Sequence, residues 1–233
     1  MQFGPKDRLF VLTGAGISAE SGLATFRGSG GLWNGHRVED VATPEAWEAD
    51  AELVWRFYSM RRRDAMAALP NDAHRALALV ESQLEERFYL CTQNVDDLHQ
   101  RAGSKRVHAM HGSLFQSRCV RCNKPFADSA FYETAANLPM CGKCGASVRP
   151  NIVWFGEVPI DLEGIYAELS RATILLIVGT SGSVYPAAGL VNIAQQTGVR
   201  TIYVGPEEPL NAHAFDELML GTATGILPGL LGV

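Results

Sequence analysis

The sequence predicts an α/β fold, a doubly wound parallel sheet carrying a small metal-held insertion. Three observations predict it. A short apolar run, Leu9-Phe10-Val11-Leu12, leads into the glycine turn Thr13-Gly14-Ala15-Gly16 and then a helix start. Further β-rich runs at 87–92, 173–178 and 200–204 alternate with amphipathic, helix-period segments. Two Cys-x-x-Cys pairs interrupt that alternation between Cys119 and Cys144.

At 233 residues the chain is long enough for one large domain or a domain with an insertion. A hydrophobic fraction of 47% and a charged fraction of 19% describe a soluble globular protein with a real core. A net charge of −5 argues against nucleic-acid binding by general electrostatics and leaves basic peptides open as partners. The first residues lack the apolar stretch of a signal peptide, and the longest apolar runs are strand-length, so no membrane span is predicted. Four of the five cysteines lie in Cys-x-x-Cys pairs. That usage suggests metal in a reducing compartment, and the cytoplasm is the expected location.

The opening strand, glycine turn and helix start at Arg8–Arg27 have the order that cradles a pyrophosphate. Glycines let the backbone approach, and free N–H groups at the helix start face the anion. Gly14-x-Gly16-x-x-Ala19 fits the dinucleotide fingerprint. It departs from the usual pattern because no second strand ends in an acidic residue ~20 positions on. Glu39 and Asp40 fall there in polar, loop-like sequence. Thr25 to Trp33 sets glycines around an aromatic and a cation, which suits either a closing loop or an ordinary connection.

Thr43-Pro44 starts a helix with a cap and a first-turn proline. The next helix is expected over Asp50–Leu69, with Val54, Phe57, Tyr58, Ala65 and Ala68 inward. Arg61 falls on this stripe, and Arg62 and Arg63 are expected to point elsewhere. An inward arginine either snorkels to water or meets an anion; beside Tyr58 it would suit a carboxylate. Asn71 or Asp72 caps a helix to about Glu86. The strand at 87–92 ends in Gln93-Asn94-Val95-Asp96-Asp97, where parallel sheets place ligand contacts, although these residues also make ordinary helix caps. Cys91 is expected to pack as a small apolar residue. His111 ends a short apolar stretch before Gly112 and is a candidate base, with a structural histidine as the alternative.

Cys119-x-x-Cys122 and Cys141-x-x-Cys144 are separated by eighteen residues. That spacing describes a tetrahedral Zn²⁺ site of the ribbon type, with disulfides or an iron–sulfur cluster as the alternatives. Four thiolates leave no open position, so the metal is expected to be structural and to hold residues 115–150 together. Arg118, Arg121, Lys124, Lys143 and Arg149 give this region a basic character that reads as a solvated face. Val153–Phe155 reads as an exposed edge able to take an extended peptide, or as core. Asp161–Ser170 is helix. The strand at 173–178 ends in Gly179-Thr180-Ser181-Gly182-Ser183, a second candidate phosphate or ribose contact. Tyr185–Thr197 is expected to be helical, and the strand at 200–204 ends in Gly205-Pro206. A last helix is expected near His213–Leu220, with Gly221–Leu227 closing the sheet.

GAGISAESGLATFRG, TQNVDDLH, HGS, the two cysteine knuckles, RPNIVWFGE and GTSGSVYPAAG occur in the order found in sirtuins. The chain resembles that family from Arg8 to about Leu230. The resemblance implies a single catalytic unit. Residues 1–34, 87–113 and 148–233 would form a Rossmann-like NAD-binding domain. Residues 35–86 and 114–147 would form the helical and zinc-ribbon parts of a small domain, with one structural Zn²⁺ on Cys119, Cys122, Cys141 and Cys144. NAD⁺ and an acyl-lysine peptide would meet between them.

Carried over by position, Gly14, Ala15, Gly16, Ser18, Glu20, Phe26, Arg27 and Trp33 would wrap the pyrophosphate and nicotinamide ribose. Gln93, Asn94 and Asp96 would hold the ribose and carboxamide. Gly179, Thr180, Ser181, Gly205 and Ala223 would line the adenosine side. His111 and Asn94 would be catalytic. Val153, Phe155, Gly156, Glu157 and Val184 would bind the peptide. Ala42, Tyr58 and Arg61 match the class with a Tyr-x-x-Arg pair for acidic acyl groups. The implied reaction converts succinyl-, malonyl-, glutaryl- or acetyl-lysine, NAD⁺ and one water to lysine, nicotinamide and O-acyl-ADP-ribose. Two other readings are an ADP-ribosyltransferase and a zinc-ribbon binding module with an NAD-sensing body.

Overall fold

A computed structural model describes residues 1–25, 33 and 35–233. Its strands are β1 (Leu9–Thr13), β2 (Phe88–Thr92), β3 (Val107–Ala109), β4 (Gly112–Cys119), β5 (Pro125–Ala127), β6 (Val148–Ile152), β7 (Ile174–Val178), β8 (Arg200–Gly205) and β9 (Glu217–Leu220). Six form one sheet in the order β3-β2-β1-β7-β8-β9, with every pairing parallel. The chain winds outward from β1 through β2 to β3, then restarts on β1's other side at β7. Thr13 is level with Thr92 on one side and Val178 on the other, so the turns after β1, β2 and β7 open at one place. Such a switch point is where open parallel sheets leave a crevice.

The helices are α1 (Val38–Val41), α2 (Pro44–Ala49), α3 (Ala51–Ala67), α4 (Asp72–Leu84), α5 (Leu98–Arg101), α6 (Leu162–Arg171), α7 (Leu190–Gln196) and α8 (Ala223–Leu231). One face of the sheet buries Leu9, Val11, Leu90, Leu176 and Ile202 against α4 and α8. The other buries Phe10, Leu12, Leu175 and Ile177 against α6 and α7. Strands covered on both faces need apolar side chains at every position, which explains the unbroken runs in the sequence. β4, β5 and β6 form a separate antiparallel sheet in the order β5-β4-β6.

The helix starts follow their caps. Thr43 accepts from Ala46 N, Asp50 from Leu53 N and Asn71 from His74 N. α3 differs from expectation in one respect. It is buried along two stripes. Val54, Phe57, Tyr58, Arg61 and Ala65 form one. The other faces the antiparallel sheet: Trp55 Nε1 donates to Val148 O, Ser59 Oγ to Tyr132 O and Arg62 Nε to Leu114 O. Arg62 points away from the Tyr58 stripe as expected, but it is buried there, 3.7 Å from Asp128. Arg63 does lie outside, paired with Glu133.

The C-terminal order is the reverse of that expected. Glu217–Leu220 is the strand, and residues 223–231 form the helix. Gly225, Pro228 and Gly229 mask the helical signal, but Ala223, Leu227 and Leu231 keep its four-residue spacing and are all buried. Thr222 caps that helix through Gly225 N. The helix expected from Tyr185 begins as a 3₁₀ turn at Ala187–Gly189 and becomes α-helical only at Leu190.

Candidate active site

The floor of the site is backbone. Gly14 N donates to Val178 O and Gly16 N to Gly179 O, each at 2.9 Å, so the turns after β1 and β7 touch. A Cβ on Gly16 would stand 2.6 Å from Gly179 Cα, and one on Gly179 only 2.5 Å from Ile17 N. Gly179 also has φ +64°. Only glycine fits such a contact. Beyond it, Ala15–Ser21 is a 3₁₀ helix closed by Gly22, shorter and tighter than the α-helix of an ordinary dinucleotide fold.

Buried polar groups stand behind this floor. Asn94 Nδ2 donates to Gly14 O and Ser18 Oγ, at 3.1 and 3.2 Å. Ser18 Oγ donates to Asp96 Oδ2 at 3.2 Å. Burial raises the Asp96 pKa, opposed by the Leu98 amide, Ser18 and the Arg61 charge. Deeper still, Thr13 Oγ1 donates to Thr92 Oγ1, and His99 Nε2 lies 2.9 Å from Thr13 Oγ1. The His74 and His99 rings meet edge to face at 4.9 Å.

Burial lowers the His74 pKa to about 4 and the His99 pKa to about 3, from 6.5. Below pH ~6.5 the unfolded chain takes up protons that the folded chain refuses, so the folded state loses stability as pH falls from there toward those values. Urea midpoints measured from pH 7.5 to 4.5 should fall steadily below 6.5. A His99→Gln variant should show a shallower slope; an identical slope would remove the pair as the cause.

His111 occupies the bend between β3 and β4. Gly112 makes the bend possible: its φ is +86°, and a Cβ there would meet Asn151 O at 2.0 Å. His111 Nδ1 lies 3.1 Å from Gln93 O. A carbonyl only accepts, so Nδ1 carries the proton and Nε2 keeps a free lone pair. Burial lowers the ring's pKa, with the bond to Gln93 O working against it, so the imidazole is neutral near pH 7.

Tyr58 and Arg61 stand together on one stripe of α3. Arg61 is 8% exposed. Its Nη1 reaches Ala24 O at 3.4 Å, its guanidinium carbon lies 5.0 Å from the Trp33 ring, and its Nε has no hydrogen-bond partner among the described residues. Desolvation lowers its pKa, against the pull of Asp64 and Asp96. A buried guanidinium with donors to spare is suited to an anionic oxygen ligand.

The segment after β6 forms a clamp that sequence reasoning missed. Arg149 donates to both Glu157 carboxylate oxygens, at 2.8 and 2.9 Å, and Arg118 donates to the same carboxylate at 2.9 Å. Arg149 is thus half of a buried ion pair and no part of a solvated basic face. Glu157 also accepts from Trp154 N at 2.8 Å. Val153 N is taken by His111 O and Phe155 N by Ala42 O, so these amides are already bonded within the chain.

These parts line one cleft with about 330 Å³ of room. Gly14, Ala15, Gly16, Ser18, Gln93, Asn94, Asp96, Gly179, Thr180 and Ser181 border it. So do His111, Trp33, Ala42, Tyr58, Arg61, Val153, Phe155, Gly156, Glu157 and Val184. Glu20, Gly205 and Ala223 do not. Glu20 accepts from Thr224 at the start of α8, Gly205 O accepts from Gly221 N, and Ala223 is buried as the first residue of α8. Phe26 and Arg27 lie outside the described residues. Trp154, Tyr203, Glu207 and Glu208 also border the cleft, without having been singled out. Tyr203 sits inside an apolar strand, where nothing marks its hydroxyl, yet that group reaches Thr180 O and Glu207 O.

Away from the cleft lining, the thiols of Cys119, Cys122, Cys141 and Cys144 lie within 4.8 Å of one another. Cys122 N donates to Cys119 Sγ at 3.3 Å, as in a metal knuckle. Four converging sulfur donors with no open position fit a structural Zn²⁺.

A parallel sheet with a glycine-floored crevice and a neutral histidine at its edge defines a nucleotide-using α/β protein. Residues 14–186 match the Sir2 family model, and the chain belongs to the Sir2 family. It is 45% identical over 224 residues to a Caulobacter vibrioides protein named NAD-dependent protein deacylase, covering 95% of this chain and 94% of that one. A Sir2 homologue solved as an ADP-ribose complex superposes with a TM-score of 0.90 at 42% identity, covering 96% of this chain and 90% of that one. A Sir2–p53 peptide–NAD⁺ structure superposes at 0.84 with 31% identity, covering 97% and 92%. Among the described residues no helix is long and apolar enough to cross a membrane.

Proposed function

We propose that this chain is an NAD⁺-dependent protein-lysine deacylase that accepts acidic acyl groups as well as acetyl. The observation that carries this reading is the cleft itself, with a neutral imidazole between a backbone-lined end and a Tyr58–Arg61 end. The backbone-lined end suits a pyrophosphate, because side chains are excluded and peptide groups can approach. Gln93, Asn94 and Asp96 would hold the ribose and carboxamide beside it, and Gly179, Thr180 and Ser181 the adenosine side. When bound, NAD⁺ supplies a ribose carbon that exchanges nicotinamide for the acyl oxygen of a substrate lysine. His111 Nε2 has the lone pair to take a proton from a ribose hydroxyl, and Gln93 O stabilises the imidazolium that results. Much of the remaining work is positioning and exclusion of water.

The relatives' names and the peptide complex of one neighbour support a protein substrate. The Glu157 clamp would hold the segment carrying Val153, Phe155 and Gly156 against it. Three chain segments, 1–34, 87–113 and 148–233, would form the nucleotide-binding domain, with 35–86 and 114–147 as the small one. The four thiols favour a reducing compartment such as the cytoplasm.

One assay tests the reading. Purified protein is given NAD⁺ and acetyl, malonyl, succinyl and glutaryl versions of one peptide, and the nucleotide product is identified by mass spectrometry. O-acyl-ADP-ribose is expected. ADP-ribosylated protein would point to transferase chemistry, and no NAD⁺ consumption with any peptide would overturn the proposal. The acyl preference has its own test. Arg61→Met should cut the succinyl-to-acetyl ratio of kcat/KM by about ten- to a hundred-and-fiftyfold, equivalent to on the order of 1.5–3 kcal/mol, the value of a hydrogen bond to a charged group. An unchanged ratio would remove Arg61 from acyl recognition.

A further inference from the structure

We propose that Trp154 is a positioning residue for acyl selectivity: its indole N–H holds the Tyr58 hydroxyl in the orientation that donates into the cleft. The inference rests on the acidic-acyl reading above and adds the element that aims one of its two contacts.

Trp154 Nε1 lies 3.0 Å from Tyr58 Oη, and both side chains are almost fully buried. An indole N–H can only donate, so Tyr58 Oη must be the acceptor. The phenol's own proton then has to point away from Trp154. Among the described residues Tyr58 Oη donates to nothing, and Tyr58 borders the cleft beside Arg61. Burial raises the phenol's pKa, opposed by the bond from Trp154 and the charges of Arg149 and Arg61, so the proton stays on. An O–H already accepting one hydrogen bond is also a better donor in the next. Tyr58 without Trp154 would be free to turn its proton elsewhere.

Trp154 can do this because it cannot move. Its backbone N–H is held by Glu157 at 2.8 Å. The Arg149 guanidinium carbon sits 3.2 Å from the indole centroid and is fixed by Glu157 and by Ile152 O. Trp47 packs against the indole with ring centroids 6.0 Å apart. The Arg149–Glu157 pair therefore acts on the acyl end of the cleft through one rigid indole.

The test is a double-mutant cycle on the succinyl-to-acetyl ratio of kcat/KM, using one peptide sequence and saturating NAD⁺. Lost packing at position 154 affects both peptides, whereas lost aim affects the ratio. Trp154→Phe is expected to lower the ratio by roughly fivefold, as for loss of one aligned hydrogen bond. In a Tyr58→Phe background the same change should leave the ratio where Tyr58→Phe put it. A ratio unmoved by Trp154→Phe, or moved equally in both backgrounds, overturns the inference. If Tyr58→Phe alone leaves the ratio unchanged, Tyr58 has no part in acyl recognition and this inference falls, while Arg61→Met decides the acidic-acyl reading separately. Should Trp154→Phe fold poorly, benzothienylalanine at position 154 keeps the bicycle and removes only the N–H, with the same outcomes expected.

Discussion

His111→Tyr should lower kcat/KM on every acyl-lysine peptide by about a hundred- to ten-thousandfold, the range for loss of a general base. A phenol cannot take up a proton at neutral pH as the imidazole does. The fold should survive, because the substitution removes one bond to Gln93 O at the edge of the cleft and leaves β3, Gly112 and β4 intact. Circular dichroism should show a cooperative melt for the variant. Normal turnover in a folded His111→Tyr protein would take the residue out of the chemistry. The wild-type pH profile gives an independent reading. Burial holds the His111 pKa below 6.5, and a base works only while unprotonated. Activity should therefore persist down through pH 6.5 and fall only as pH drops through the lower, folded value.

Stripping zinc should have an effect of similar size by another route. The region around the thiols has little core of its own: Trp55, Cys119 and Val148 are its buried members, and every residue of β5 is exposed. Structural zinc contributes about 10–16 kcal/mol in isolated zinc modules, far more than so small a cluster can supply. Without metal, residues 115–150 should lose their ordered structure. The damage should spread through α3, whose ribbon-facing Trp55, Ser59 and Arg62 would lose Val148 O, Tyr132 O and Leu114 O as partners. Tyr58 and Arg61 ride on the same helix. Chelation at pH 7.5 should release one ion per chain, expose the ribbon amides to hydrogen exchange and abolish deacylation. Full activity in demetallated protein would show that the thiol cluster is dispensable.

Much of this architecture was legible because its signals are local. Continuous apolar runs marked β1, β2, β7 and β8, since strands buried on both faces leave no polar positions. Thr43 and the Asn71–Asp72 pair marked helix starts by cap chemistry, and the cysteine spacing marked the four-thiol cluster. Arg62 and Arg149 gave no sign of burial, because the fold brings up the groups that hold them: Leu114 and Asp128, from a distant part of the chain, for Arg62, and Glu157 with Trp154, across the turn that follows β6, for Arg149. The C-terminal strand and helix were exchanged because two glycines and a proline inside α8 outweighed the four-residue spacing of its buried side chains. Tyr203 was passed over because a hydroxyl in an apolar strand gives no sign of which carbonyls it will meet.

The meeting of Gly16 and Gly179 bears on how this scaffold can change over time. At the end assigned to the nucleotide the floor is main chain, and neither glycine can gain a side chain without forcing two turns apart. At the opposite end the wall is Ala42, Tyr58, Arg61 and Ile152, each replaceable on its own. Descendants of this chain are thus free to drift in the modification they remove while the molecule they consume stays the same.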